Sequence, residues 1–172
     1  DMLQLARPRR PVFGEVDVGR TAREVVALAS QSGRGTDVVV RYEGPKDNEP
    51  LVTSADAGQL RQVMWNLVRN AVQASNPGAK VTVRVTPQSV LEVHDDGPGI
   101  GAEARARLFD AFFTTRSSGM GIGLALVHQP LELGFGLVEL RQLIERLHLG
   151  KRQHAVGLAA QPLADALDDT LA

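Results

Sequence analysis

The chain has 172 residues, with 19 Lys and Arg set against 20 Asp and Glu, a formal net charge of −1, so it carries no global basic footprint for nucleic acid or a polyanionic surface. It has no cysteine, which excludes disulfides and thiolate metal sites. At 43% hydrophobic but 4% aromatic it can bury one domain-sized core of Val, Leu, Ala and Ile, and no apolar run approaches the ~20 residues of a membrane span.

Asp1 leads through Leu5-Ala6 into Arg7-Pro8-Arg9-Arg10-Pro11, which is not a signal peptide. Residues 1–6 read as the last turn of a helix ended by Pro8 and Pro11. A helix is expected over 16–32, with Val18, Ala22, Val25, Val26, Leu28 and Ala29 on its apolar face and Asp17 or Thr21 as its cap. The β-branched run 37–42 predicts a strand and 51–53 a short one, across a polar loop. Residues 56–75 form the strongest helical pattern, with Leu60, Val63, Met64, Leu67, Val68, Ala71 and Val72 at three- and four-residue spacing.

Asn76-Pro77-Gly78 ends that helix, and 80–86 alternates Val81, Val83 and Val85 against Thr82 and Arg84, a half-buried strand with a hairpin partner over 90–94. A glycine loop at 97–101, a helix over 102–113, a second glycine-rich loop over 114–123 and a short helix from 122 to 127 follow. Beyond His128 the pattern is largely helical, through Leu137, Leu140, Leu143, Ile144 and Leu147, then 159–171. The order predicts an α+β, two-layer sandwich with helices on one face of a mixed sheet and a helical C-terminal tail over 131–172.

Four clusters carry chemistry. Asn66 and Asn70 lie four apart on the long helix, so both project to one side, and asparagine is a poor helix former. They form either a polar helix edge or an oxygen ligand set for a hard cation beside a phosphate. Asp95-Asp96-Gly97-Pro98-Gly99 follows an apolar strand. It is either an ordinary turn or a place where an acid accepts a hydrogen bond from an exocyclic amine such as that of adenine. Gly119-Met120-Gly121-Ile122-Gly123-Leu124 opens a helix, a natural phosphate cradle, although it is neither the dinucleotide fingerprint nor a P-loop. Phe109, Phe112 and Phe113 crowd beside Thr114-Thr115-Arg116 and a Ser/Gly loop, as core or as the anchor of a mobile lid.

Taken together, in this order and spacing, the clusters resemble the GHKL-type ATP-binding domain of histidine kinases. Residues 60–75 resemble its N box, 95–99 its G1 box (DxGxG), 108–113 its F box and 119–124 its G2 box (GxGxGL). The short loop between the last two and the Leu5-Ala6-Arg7-Pro8 opening look most like the nitrogen-regulation kinase branch. The resemblance covers residues 3–127 and implies a Bergerat-type fold that binds ATP and Mg²⁺. It implies that Asn70 coordinates Mg²⁺ with Asn66 in support, and that Asp95 hydrogen-bonds the adenine amino group. Gly97 and Gly99 would shape the pocket. Gly119, Gly121 and Gly123, with Leu124, would bring the lid and helix N-terminus to the phosphates. Thr115 and Arg116 would contact phosphate, and Phe109 and Phe112 would anchor the lid.

The resemblance also implies a division of the chain. Residues 1–15 would be the end of a dimerisation hairpin and a linker, 16–127 the catalytic domain, and 128–172 an atypical segment. Related gyrase, mismatch-repair and chaperone ATPases carry a glutamate base one turn before the metal ligand, where this chain has Asn66. A neutral amide cannot take that proton, which favours phosphoryl transfer over hydrolysis. The implied activity is a cytoplasmic protein-histidine kinase acting with a histidine-containing dimerisation domain and a response regulator. The alternatives are a GHKL ATPase or serine kinase, or a nucleotide-binding or dimerisation module.

Two departures stand out. None of His94, His128, His148 and His154 lies in a phosphoacceptor motif of the type His-Glu-x-x-x-Pro. After residue 127 the family's two terminal strands are replaced by the helical pattern. Its apolar stripe is expected either to cover the sheet or to pair in a homodimer.

Overall fold

A computed structural model describes residues 11–32, 37–87, 90–101, 107, 110 and 154–159. The chain runs through strand β1 (Gly14–Asp17), helix α1 (Val18–Ser32), strands β2 (Val39–Glu43) and β3 (Val52–Ala55), helix α2 (Ala57–Ala74), then β4 (Lys80–Val85), β5 (Val90–Asp95) and β6 (His154–Ala159). β1 and β3 form a two-stranded antiparallel ribbon, and the other four make a sheet in the order β2-β4-β5-β6. β2 is parallel to β4, while β4–β5 and β5–β6 are antiparallel. A parallel pair needs a crossover connection, and α2 lies within the one that joins β2 to β4.

The helices form where the periodicity predicts. Val18, Ala22, Val25 and Ala29 of α1 are buried, as are Leu60, Val63, Met64, Leu67, Val68 and Ala71 of α2. They meet Val81, Val83 and Val85 of β4 and Leu91 and Val93 of β5 in one core. The alternation along β4 is the expected one, with Lys80 and Arg84 exposed. The opposite sheet face carries an ion ladder. Arg84 bonds Glu43 across to β2 at 2.9 Å and approaches Glu92 on β5 at 3.7 Å, and His94 Nε2 lies 3.1 Å from Glu92.

Three differences from the sequence reading have physical causes. Residues 14–17, of which 16 and 17 were expected in the helix, form β1. Asp17 ends it as the cap of α1, because its Oδ1 accepts the Gly19 N–H at 3.0 Å and the Arg20 N–H at 3.2 Å. The second strand starts at Val39 rather than 37, since Asp37 sits at a positive φ of 53°. Most consequential, residues 154–159 are a strand and not part of a helical tail. His154–Ala159 satisfies the open edge of β5 in antiparallel register, with Val156 opposite Val93 and Leu158 opposite Leu91. An unpaired strand edge leaves a row of N–H and C=O groups without partners, a requirement that outweighs the local helical pattern. The stripe at 137–147 and the expected helices over 102–113 and 122–127 lie outside the described residues.

Candidate functional site

The site is assembled from the last turns of α2 and the turn after β5. α2 begins at Asp56, whose Oδ1 accepts the N–H groups of Gly58 (2.9 Å) and Gln59 (3.0 Å). It ends at Ser75, whose N–H reaches Ala71 O (3.1 Å) and Val72 O (3.3 Å). Between these caps the helix holds Asn66 and Asn70 one turn apart. Asn66 is 8% exposed and its Nδ2 has no hydrogen-bond partner among the described residues. Asn70 is half-buried and engaged in an interaction. A buried amide donor without an acceptor costs about 1–3 kcal/mol, so an acceptor arriving at Asn66 recovers that cost.

The sheet register brings an acid to this helix. Asp95 is the last residue of β5 and pairs with Val81, a core residue. Directly paired residues share a face, so Asp95 lies on the side of the sheet that α2 covers. Its Oδ1 accepts the Gly97 N–H at 2.8 Å, closing a tight Asx turn. A Cβ at position 97 would fall 2.5 Å from that oxygen and 3.1 Å from the carbonyl oxygen of Ala74, at the end of α2. Gly97 is therefore needed for a close approach between turn and helix. Gly99 has a different need, a positive φ of 87°. Asp96 points elsewhere, its Oδ2 accepting the Lys80 N–H at 3.2 Å where β4 begins.

Of the residues expected at the site, the structure places Asn66 and Asn70 on α2 and Asp95 and Gly97 in the turn that packs against the end of that helix at Ala74, with Gly99 two residues further on. Phe109, Phe112, Thr115, Arg116, Gly119, Gly121, Gly123 and Leu124 lie outside the described residues. Among the described residues no group of three or more His, Cys, Asp or Glu could hold a metal ion.

Residues 55–156 match the family described as histidine kinase-, DNA gyrase B-, and HSP90-like ATPase. The chain belongs to this family. It is 30% identical over 146 residues to the signal transduction histidine-protein kinase AtoS of Escherichia coli (strain K12), covering 83% of this chain and 24% of AtoS. The chain therefore spans about a quarter of the length of that curated relative. Among solved structures it resembles the catalytic domain of the histidine kinase ThkA, with a TM-score of 0.62 and 31% identity over 70% of this chain and 80% of that one. It also resembles ThkA in complex with the response regulator protein TrrA, with a TM-score of 0.60 and 25% identity over 75% of this chain and 38% of that one.

One further residue went unassigned in the sequence reading. Asp56, 2% exposed, caps the helix that carries both asparagines. The signal was present as Asp56-Ala57-Gly58-Gln59, an N-cap acid followed three residues later by Gln, the pattern of a capping box. Nor was the pairing of β1 with β3 expected, which brings Val12 to that same carboxylate (2.8 Å).

Proposed function

We propose that this chain is the ATP-binding catalytic domain of a two-component sensor histidine kinase, acting in the cytoplasm, that transfers the ATP γ-phosphoryl group to a histidine on a separate dimerisation domain. The observation that carries the reading is the buried Asn66, whose Nδ2 has no partner among the described residues, one turn before Asn70 on a helix whose last turn backs the Asp95–Gly97 turn. Asp95 would accept from the adenine amino group. Asn66 would donate to a phosphate oxygen, and Asn70 would offer its amide oxygen to Mg²⁺. When bound, Mg²⁺ supplies charge neutralisation on the phosphates as the group moves. Transfer forms a P–N bond to the acceptor imidazole while the bridging P–O bond to ADP breaks. With an amide at position 66 no carboxylate base stands one turn before Asn70 to activate water.

Thr115, Arg116 and the glycines at 119, 121 and 123 would complete the phosphate cradle, with Leu124 behind them and Phe109 and Phe112 anchoring a lid. The residues before β1 would be the end of the dimerisation hairpin and its linker, and the catalytic domain would run from β1 and include β6, which completes its sheet. None of the four histidines sits in a phosphoacceptor motif, so the acceptor belongs to another domain. ThkA, bound to TrrA, supports a response regulator as the final recipient. Calorimetry with Mg-ATP, then transfer of labelled γ-phosphoryl to a separately supplied histidine hairpin, tests the reading. Binding and hairpin-dependent transfer are expected. ATP turnover without the hairpin would favour a hydrolase, and absence of nucleotide binding would end the proposal.

A further inference from the structure

The caps of the two helices are interlocked. β1 runs into α1 through Asp17, and the same Oδ1 that caps α1 accepts the N–H of Leu51, just ahead of β3, at 3.3 Å. β3 runs into α2 through Asp56, whose Oδ1 caps α2 while its Oδ2 accepts the N–H of Val12, just ahead of β1, at 2.8 Å. Each aspartate thus holds its own helix and the start of the opposite strand. Between them lie the paired residues Gly14↔Ala55, Glu15↔Ser54, Val16↔Thr53 and Asp17↔Val52. The ribbon is a clasp with a carboxylate at each end.

The two ends differ in how firmly they are held. At the Asp17 end a second bond, Val18 N–H to Leu51 O at 2.9 Å, backs the first. At the Asp56 end the side chains of Val12 and Phe13 are 70% and 48% exposed, so they bury little apolar surface. The docking of residues 11–13 includes a backbone N–H donated to a carboxylate. That carboxylate is 2% exposed, so water does not readily take the place of Val12. Segments with few buried apolar contacts open at low free-energy cost, while a charge-assisted bond to a buried acceptor gives the closed state a definite geometry.

We propose that docking of residues 11–13 on Asp56 is coupled to nucleotide binding at Asn66 and Asn70, each favouring the other. The coupling rests on the nucleotide reading above. Its route is α2 itself, one unbroken helix from Asp56 to Ala74 with no proline and no glycine beyond its first turn. Such a helix tilts as a rod, so the position of its first turn sets the position of its asparagines against Asp95. Releasing Val12 frees the first turn and loosens the site, and ordering the asparagines around a ligand steadies the first turn. A linkage of this kind is reciprocal. Asp56 is a positioning residue here, and residues 11–13 are the place where movement of the preceding chain reaches the nucleotide.

The test uses three variants of the full 172-residue chain. Val12→Pro removes the donor and also fixes the backbone there, Val12→Ala keeps the donor while shortening the side chain, and Asp56→Asn keeps a competent helix cap and the backbone of residue 12 but loses the carboxylate oxygen. Far-UV circular dichroism checks that each folds. Calorimetry with Mg-ATP then gives the affinities, and hydrogen exchange follows the amides of residues 14–17 with and without a non-hydrolysable ATP analogue. Val12→Pro and Asp56→Asn should each bind Mg-ATP on the order of three- to tenfold more weakly, with the double variant no weaker than the worse single one. Val12→Ala should match the parent, and the analogue should slow exchange in β1 of the parent but not of Val12→Pro. Unchanged affinity in a folded Val12→Pro, additive losses in the double variant, or β1 exchange indifferent to the analogue would each overturn the coupling. A parent chain that binds no Mg-ATP would instead remove the nucleotide reading, and the coupling with it.

Discussion

Gly97 donates its N–H to Asp95 Oδ1 at 2.8 Å, and the same oxygen occupies the space that a side chain at position 97 would need. The turn and the acid are therefore one unit. Asp95→Asn should lose a charge-assisted bond to the base, about 1.5–3 kcal/mol or on the order of ten- to a hundredfold in ATP affinity. Gly97→Ala should weaken binding in the same direction by pushing the carboxylate aside. Calorimetry that finds wild-type affinity in Asp95→Asn would remove this residue from the site.

Asn66 and Asn70 predict opposite balances of stability and function. Because Asn66 Nδ2 is buried without a partner among the described residues, Asn66→Ala should leave the apo chain within about 1 kcal/mol of wild type, since truncation also removes an unsatisfied group. The same change should lower nucleotide affinity. Asn70→Ala should cut hairpin-dependent transfer more than it cuts binding, since metal-bridged charge matters most as the phosphoryl group moves. Denaturant melts with and without Mg-ATP, beside transfer rates, separate the two. A strongly destabilised Asn66→Ala would mean that the amide is satisfied within the protein.

Tyr42, the only tyrosine, staples the β2–β3 loop. Its hydroxyl donates to Pro45 O at 3.0 Å and accepts from Arg23 at 3.4 Å, while Arg23 also reaches Pro45 O (2.8 Å) and Asp47 (2.7 Å). Burial pushes the phenol above its usual 10.0, partly offset by the Arg23 charge. The neutral phenol is therefore favoured in the folded state. Its contribution is intact below pH 10.0, the unfolded value, and is lost as pH rises through the raised folded one. Absorbance titration should place the folded midpoint above that of the denatured chain. Tyr42→Phe should cost about 1 kcal/mol at neutral pH and flatten the alkaline loss of stability.

Deleting residues 131–172 removes β6 and reopens the edge of β5. The truncated chain should melt roughly 5–10 °C lower, equivalent to about 2–3 kcal/mol for a chain of this size, and should self-associate through the open edge. Thermal melts and light scattering measure both. An unchanged melting temperature and mass would show that β6 neither stabilises the sheet nor protects it.

The parts of this fold that were legible in the sequence are those where local pattern and tertiary need agree. α2, with an apolar residue at every third or fourth place, emerged with its caps almost where the pattern put them, and β4 kept its strict alternation. The asparagines and the Asp95 turn stood out as candidates because a poor helix former inside a helix and an acid at a strand end each ask for a reason, and the structure puts them on α2 and at the end of β5. What stayed hidden depends on distant partners. β1 is a strand because β3 lies beside it, and Asp56 has a second role because Val12 comes back to it. β6 is a strand because β5 offers an edge, although the surrounding sequence has helical periodicity.

The place of β6 in the sheet also bears on how the chain folds. The β1–β3 ribbon, α1, α2 and the β4–β5 hairpin are drawn from the first hundred residues, whereas β6 lies at residues 154–159. Pairing Val90 with Ala159 closes a long loop, the kind of contact that slows folding and comes late. During synthesis the helices and the β4–β5 hairpin can collapse while the strand that covers the edge of β5 is still in the ribosome. For that interval the nascent domain exposes a strand edge, and its yield in a cell should depend on how quickly residues 154–159 follow.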